Sequence, residues 1–142
     1  MIVPDVNLPV YSVDSSSPFH REARGWWDRL LSSTETVGLC YPALLGFVRI
    51  TTSRRVFDSP LTVAAALERV QSWLDQPHAH LLLPTSRHWP ILVELLGPVP
   101  GNLTTDAHLA AHAIEHAGVL CSNDVDFQRF PGLRWRNPLD SG

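Results

Sequence analysis

"VLCSNDVDFQRF", residues 119–130, decides how this chain is read. Val119, Leu120 and Cys121 form an apolar stub with the look of a buried strand, and Asp124 and Asp126 follow at once. A short apolar run bounded by polar residues suits a strand covered on both faces, as in a parallel sheet. A surface loop takes two such carboxylates without comment, whereas a site for a divalent cation requires them.

The chain around this stretch alternates between two periodicities. Upstream, "NLTTDAHLAAHAIEHAG" (102–118) reads as a helix closed by Gly118, with Ala107, Ala110, Ala111 and Ile114 as its core stripe. Downstream, "DVDFQRF" reads as a short helical turn and "GLRWRNP" as a last strand. At the other end, "MIVPD" is a short first strand with Asp5 at its exit, and "VNLPVYSV" a short helix in which Pro9 belongs to the first turn or a kink. Residues 18–33 carry apolar side chains at 19, 23, 26, 27, 30 and 31, a helical spacing with Pro18 at its start. "ETVGLCY" predicts a second strand. "PALLGFVRITTS" (42–53) predicts a helix with Leu44, Phe47, Val48 and Ile50 inward. Residues 59–77 predict a helix on Val63, Leu67, Val70 and Leu74, stopped by Pro77. "HLLLP" and "TSRHWPILVELLG" give a third strand and its following helix. Strands alternating with helices predict an α/β layered fold around a mainly parallel sheet. No repeat or linker interrupts it, so residues 1–142 are expected to form a single domain.

Bulk composition narrows the function classes. The 142 residues are 44% apolar, enough for one core and too many for a disordered chain. The net charge of −3 excludes a broadly cationic surface, so a nucleic acid must be met by a local basic patch or a bridging metal. Cys40 and Cys121 each end an apolar run without a CxxC pair, and are expected to be buried, reduced thiols rather than zinc ligands. Without an apolar run of about 18 residues or a charged leader, the expectation is a soluble, cytoplasmic protein with no membrane partner.

Ligands of parallel α/β sheets gather at the C-terminal strand ends. Asp5 lies at the end of the first strand, Asp124 and Asp126 just past the fourth, and Asp106 in the first turn of the helix leading into the fourth. Two carboxylates about 5 Å apart repel by on the order of 3 kcal/mol at an effective dielectric of 20. Such a cluster needs shared protons or a hard cation, and oxygen ligands suit Mg²⁺ or Mn²⁺. The plainer alternative is that Asp124 caps a turn and Asp106 gains from a helix dipole.

"MIVPDVN", "PALLGFVRITTSRRVF", "TTDAHLAAHAIEHAG" and "LCSNDVDFQRFPGLRWRNPL" together, in this order, resemble the PIN domain, most closely the VapC-type toxins of bacterial toxin–antitoxin pairs. The resemblance covers nearly the whole chain. It implies an α/β/α sandwich, a Mg²⁺- or Mn²⁺-dependent endoribonuclease that cuts RNA with a metal-activated water, a homodimer, and inhibition by a VapB-like antitoxin. It carries metal ligation to Asp5, Asp106 and Asp124, an accessory catalytic place to Asp126, and support of the metal site to Asn7. There is one departure. Where the family has a Glu on the third helix, within "xxLLExxR", this chain has Gly46. Three readings follow: the remaining aspartates suffice, an acid from elsewhere substitutes, or the protein is a PIN-like module that binds RNA or antitoxin and cuts weakly.

Other constellations are weighed beside these. His108, His112 and His116 stand at i, i+4, i+8, but without an HExxH frame they read as a solvated flank rather than a zinc site, with His108 at the rim of the acidic site. Arg49, Arg54 and Arg55 are candidate contacts for an RNA backbone, or an ordinary basic helix end. Of five tryptophans, Trp26, Trp27 and Trp73 fall on helical stripes and read as packing, while Trp89 and Trp135 are candidates for base stacking. The apolar faces of the helices at 18–31 and 62–76 are candidates for the antitoxin. Ser122 lacks a G-x-S-x-G elbow, so nucleophilic catalysis fits poorly.

Overall fold

The computed structural model describes residues 1–140. Five short strands form one sheet: β1 (Ile2–Pro4), β2 (Val37–Cys40), β3 (Ala79–Leu82), β4 (Val119–Cys121) and β5 (Trp135–Arg136). Their order across the sheet is β3-β2-β1-β4-β5, and every pairing is parallel. The chain builds outward from β1 through β2 to β3, then crosses back to place β4 on the other side of β1. The reversal opens a crevice at the carboxyl ends of β1 and β4, the position where such sheets bind ligands.

Helices cover both faces: α1 (Asn7–Val13), α2 (His20–Ser32), α3 (Tyr41–Thr51), α4 (Val63–Leu74), α5 (His88–Leu96) and α6 (Thr104–Glu115), with short 3-10 turns at Gly101–Leu103 and Val125–Arg129. Successive strand residues point to opposite faces, and the core divides accordingly. Ile2, Val37, Leu39 and Cys121 join Leu8, Trp27, Leu44, Phe47 and Trp73 on one side. Val3, Cys40 and Leu120 join Leu95, Leu103, Ala107 and Phe127 on the other. The result is the expected α/β/α sandwich. Cys40 and Cys121 are free thiols in the core, and burial pushes the Cys40 thiol up to about 12.

Two helix faces differ from expectation. In α4 the buried residues are Ala66, Val70 and Trp73, while Val63 and Leu67 are about half exposed. Trp73 turns the helix: its ring sits edge-on to Trp27 at 5.0 Å and to Phe47 at 4.7 Å, and an aromatic buries more area than Leu67 offers. Thr62 caps this helix by accepting from the Ala65 N–H at 3.1 Å, which starts it at Val63 rather than at residue 59. In α6 the inward side is wider than a stripe: His112 and Glu115 are buried beside the alanines, and Ile114 only half so. Covered by a second helix as well as by the sheet, α6 buries His112, while His108 and His116 stay partly exposed.

The left-handed residue that ends α6 is Ala117, at φ 54°, rather than Gly118. Gly118 answers a different need, since a Cβ there would lie 3.1 Å from Val3 Cγ2 and 3.2 Å from the Met1 carbonyl oxygen. Its small size lets β4 enter the sheet against β1. Among the described residues no helix is long and apolar enough to cross a membrane.

Candidate active site

The parallel register of β1 and β4 pairs Pro4 with Cys121, so the next residues, Asp5 and Ser122, leave the sheet side by side. The Asp5 N–H donates to the Cys121 carbonyl at 2.9 Å and holds the two exits together. Asp5 is buried. Its Oδ1 accepts from the Val6 N–H at 2.7 Å, and its Oδ2 from the Ser122 hydroxyl at 2.7 Å. Ser122, fully buried, also accepts from Asn7 Nδ2 at 3.2 Å and from the Asp124 N–H at 3.0 Å. One donated and two accepted bonds saturate a hydroxyl. Ser122 is therefore the hub that sets Asp5, Asn7 and Asp124 relative to one another, a role that sequence reasoning missed. The available signal was the strand register, which places position 122 beside position 5.

Asp124 caps the following 3-10 turn, its Oδ1 accepting from the Asp126 N–H at 2.9 Å. The capping alternative thus holds for one oxygen and leaves Oδ2 uncommitted. Asp126 stands 3.6 Å from Arg129 Nε across an exposed pair, an interaction of small energetic weight. Asp106, in the first turn of α6, lines a small cavity of about 50 Å³ with Asp5, Val6, Pro42, Ala43, Thr105 and Leu109. The loop after β4 is clamped from β5: Trp135 Nε1 donates to the Ser122 carbonyl at 3.1 Å, and Asn137 Nδ2 to Asn123 Oδ1 at 2.9 Å. Trp135 is thereby engaged at the base of the site, while Trp89 is 70% exposed.

The electrostatics couple the aspartates. Burial pushes the Asp5 carboxyl above its usual range, the Ser122 and Val6 hydrogen bonds pull it back, and the Asp124 charge adds to the rise. Asp106 is pushed up to about 6, first by partial burial and then by the charges of Asp5, Asp124 and Asp126. Three charges acting on Asp106 place all four carboxylates within electrostatic reach. Among the described residues, the sets of three or more ligand atoms lying within 4.8 Å of one another centre on histidines, not on these aspartates. The aspartates form an open rim, which suits a hard cation that keeps several waters.

A divalent cation fits these residues on two grounds. The donors are oxygens whose mutual repulsion a cation relieves. Asn7 Oδ1, beside Asp5 and Ser122, is buried with no hydrogen-bond partner and awaits a donor such as water.

Gly46 is buried in α3, and a Cβ added there would lie 3.1 Å from Val6 Cγ2. A side chain at this position points toward the residue after Asp5. Within Tyr41–Thr51 no residue is acidic. Arg49, Arg54 and Arg55 are exposed at the far end of α3. Arg49 is seven residues past Pro42, which at about 1.5 Å per residue sets it roughly 10 Å down the helix from the cavity. His108, expected at the rim, does not line the cavity; its ring turns to His88, with Nδ1 2.8 Å from His88 Nε2. Residue 108 is two positions past Asp106, more than half a helical turn around the axis.

The PIN domain family model matches residues 2–133. Ribonuclease VapC33 of Mycobacterium tuberculosis is 45% identical over 141 residues, covering 98% of this chain and 99% of that one. Ribonuclease VapC37 of the same organism is 42% identical over 140 residues, covering 97% of each. Among solved structures, the VapBC2 complex of Rickettsia felis bound to a promoter DNA fragment superposes with a TM-score of 0.67 at 19% identity, covering 96% of this chain and 98% of that one, a likeness of fold.

Proposed function

The chain belongs to the PIN domain family, and from that membership we propose that it is a VapC-type endoribonuclease, the toxin of a type II toxin–antitoxin pair, working with Mg²⁺ or Mn²⁺. What supports the site assignment is that Asp5 and Asp106 line one cavity and that one buried hydroxyl ties Asp5 to Asp124. Asp5, Asp124 and Asp106 hold the cation, and Asp126 assists from the turn. The cation, when bound, makes water a stronger acid and offsets charge on the scissile phosphate.

The chain's own residues do the rest. Ser122 ties the Asp5 carboxylate to the Asp124 backbone N–H and so sets the spacing of the two residues. Asn7 donates from Nδ2 to the Ser122 hydroxyl, which in turn donates to Asp5. In the cleavage water adds to phosphorus and gives up a proton to solvent, the bond to one ribose oxygen breaks, and that oxygen takes a proton up. Arg49, Arg54 and Arg55 take the RNA backbone away from the cut, where their bidentate forks suit phosphate. Gly46 leaves the aspartates to suffice.

The antitoxin, VapB-like, lies against α2 and α4. A groove of about 490 Å³ between these helices and α1, lined by His20, Trp27, Asp28, Arg69, Trp73 and Gln76, supports that placement. Apolar residues left exposed on α3 and α5, Leu45, Trp89 and Val93, support a homodimer. The cell compartment is the cytoplasm, where RNA and antitoxin are met.

The test is cleavage of total cellular RNA by the antitoxin-free protein with Mn²⁺, with Mg²⁺ and with EDTA, beside Asp5→Asn. Discrete fragments that need metal and disappear in the variant are expected. A folded protein that binds RNA or antitoxin but cuts under no metal favours the alternative, a binding module disabled at Gly46.

A further inference from the structure

Between α5 and α6, away from the aspartates, three imidazoles converge. One nitrogen from each of His88, His108 and His112 lies within 4.8 Å of the others. Their ring centroids are 4.5–4.9 Å apart. His88 Nε2 and His108 Nδ1 face each other at 2.8 Å. Behind His88, its Nδ1 donates to Glu115 Oε1 at 2.9 Å, and the other carboxylate oxygen accepts from the Thr85 hydroxyl at 2.7 Å and the Thr85 N–H at 3.2 Å. A carboxylate that accepts one ring N–H of a histidine fixes its tautomer and leaves a lone pair on the opposite nitrogen, here turned to the His108 ring, the support found behind metal-bound histidines.

His112 supplies an independent observation. It is 2% exposed, and its Nδ1 lies 3.3 Å from Glu115 Oε1 yet makes no hydrogen bond of acceptable geometry. A buried ring nitrogen left without a partner is costly in a purely structural cluster. Glu115 is buried as well and is fixed by the Thr85 hydroxyl, the Thr85 N–H and His88, so the cluster stands on a rigid support.

We propose that His88, His108 and His112 form a binding site for a borderline transition-metal ion of the Zn²⁺ class, with Glu115 as the buried carboxylate behind it and the fourth position open to water past the half-exposed His108. Imidazole nitrogens select such ions over Mg²⁺, and three protein ligands leave Zn²⁺ one open position. The site ties α5 to α6 and is separate from the acidic crevice in donors, in location and in the metal it takes.

The experiment uses the whole chain, freed of metal by a chelator and titrated with Zn²⁺ and with Co²⁺. Expected is one equivalent bound at this site with the strong visible absorption of tetrahedral Co²⁺, retained in Asp5→Asn and weakened at least about tenfold in His108→Gln. Zn²⁺ added to ¹⁵N-histidine-labelled native protein is expected to move the ring signals of His88, His108 and His112 and to leave His20, His78 and His80 in place. Binding lost in Asp5→Asn but kept in His108→Gln overturns the proposal. So does Zn²⁺ that moves only the surface histidines, or ring signals showing His88 held as an imidazolium with no zinc uptake. The spectrum of the native chain decides the matter even if His108→Gln does not fold.

Discussion

Two polar clusters sit on the same helix, and they were unequally visible in the sequence. Asp106 belongs to the acidic crevice, while His108, His112 and Glu115 belong to the pocket under α5. The acidic cluster lies where strands end. There the chain leaves the sheet with side chains aimed into a crevice whose position follows from strand order alone. The histidine pocket lies where two helices meet, and which face of α6 is covered depends on where α5 lands. Sequence spacing shows the helix face but not the partner that covers it. The first cluster is an open rim of hard oxygen donors, the second a closed set of nitrogens with its own buried carboxylate.

The comparison breaks most directly at Ser122. Ser122→Ala removes three hydrogen bonds among Asp5, Asn7 and Asp124. RNA cleavage is expected to fall tenfold or more, and unfolding free energy by about 2–3 kcal/mol, on the scale of buried polar groups left unpaired. Kinetics and urea denaturation measure both; wild-type cleavage from the variant would mean that the hub does not organise the site.

Glu115→Ala tests the other side. It leaves His88 Nδ1–H and the Thr85 donors without their acceptor, so a loss of about 1–3 kcal/mol is expected with cleavage changed by less than about threefold. If cleavage collapses while the fold survives, the two clusters are not independent.

A smaller effect separates them by pH. A carboxyl whose folded pKa is raised contributes stability that is present below its unfolded value of 3.8 and is lost as pH rises through about 6. The metal-free protein is therefore expected to lose a few degrees of Tm from this group between pH 4 and 7. Asp106→Asn should flatten that slope, and Mn²⁺ should restore Tm at pH 7.5 more than at pH 5. Calorimetry across that window, with and without Mn²⁺, reads the sign; a Tm that climbs from this group over the same range would contradict it.

The smallest effect concerns Gly46. Gly46→Glu alone must displace Val6, whose methyl lies 3.1 Å from the new Cβ, so a change in cleavage within about threefold is expected. The double variant Val6→Ala, Gly46→Glu provides the room. Cleavage well above that of Val6→Ala alone would show that the crevice gains from a fourth acid, and equal rates that the aspartates suffice.

Much of the architecture was legible. The strand stubs "IVP", "VGLC" and "VLC", each bounded by polar or helical signals, stand as strands, and the alternation with helices gave the layered fold. The helix at 59–77 is legible in existence and only partly in orientation, because its spacing sets Val63 and Leu67 in line with Val70 and the structure leaves the first two half exposed while Val70 and Trp73 are buried. Gly118 has the pattern of a helix terminator, whereas Ala117 takes the left-handed conformation and Gly118 makes room for Val3. In the candidate site the aspartates were legible because a carboxylate at a strand exit is unusual. Ser122 was not, because a serine is ordinary anywhere and becomes a hub only when parallel register sets it beside Asp5.

The amino-acid sequence by itself determined the alternation of short buried strands with helices, the four aspartates at the strand exits and the helix start between them, and the absence of an acid on the third helix. These are local facts of pattern and residue type. Tertiary structure alone decided that one buried hydroxyl binds Asp5 to Asp124, that Leu67 stays half exposed beside the buried Trp73, and that three histidines and a glutamate close into a pocket. Each depends on which surface meets which across long sequence separations, a matter that packing and register settle and local periodicity does not carry.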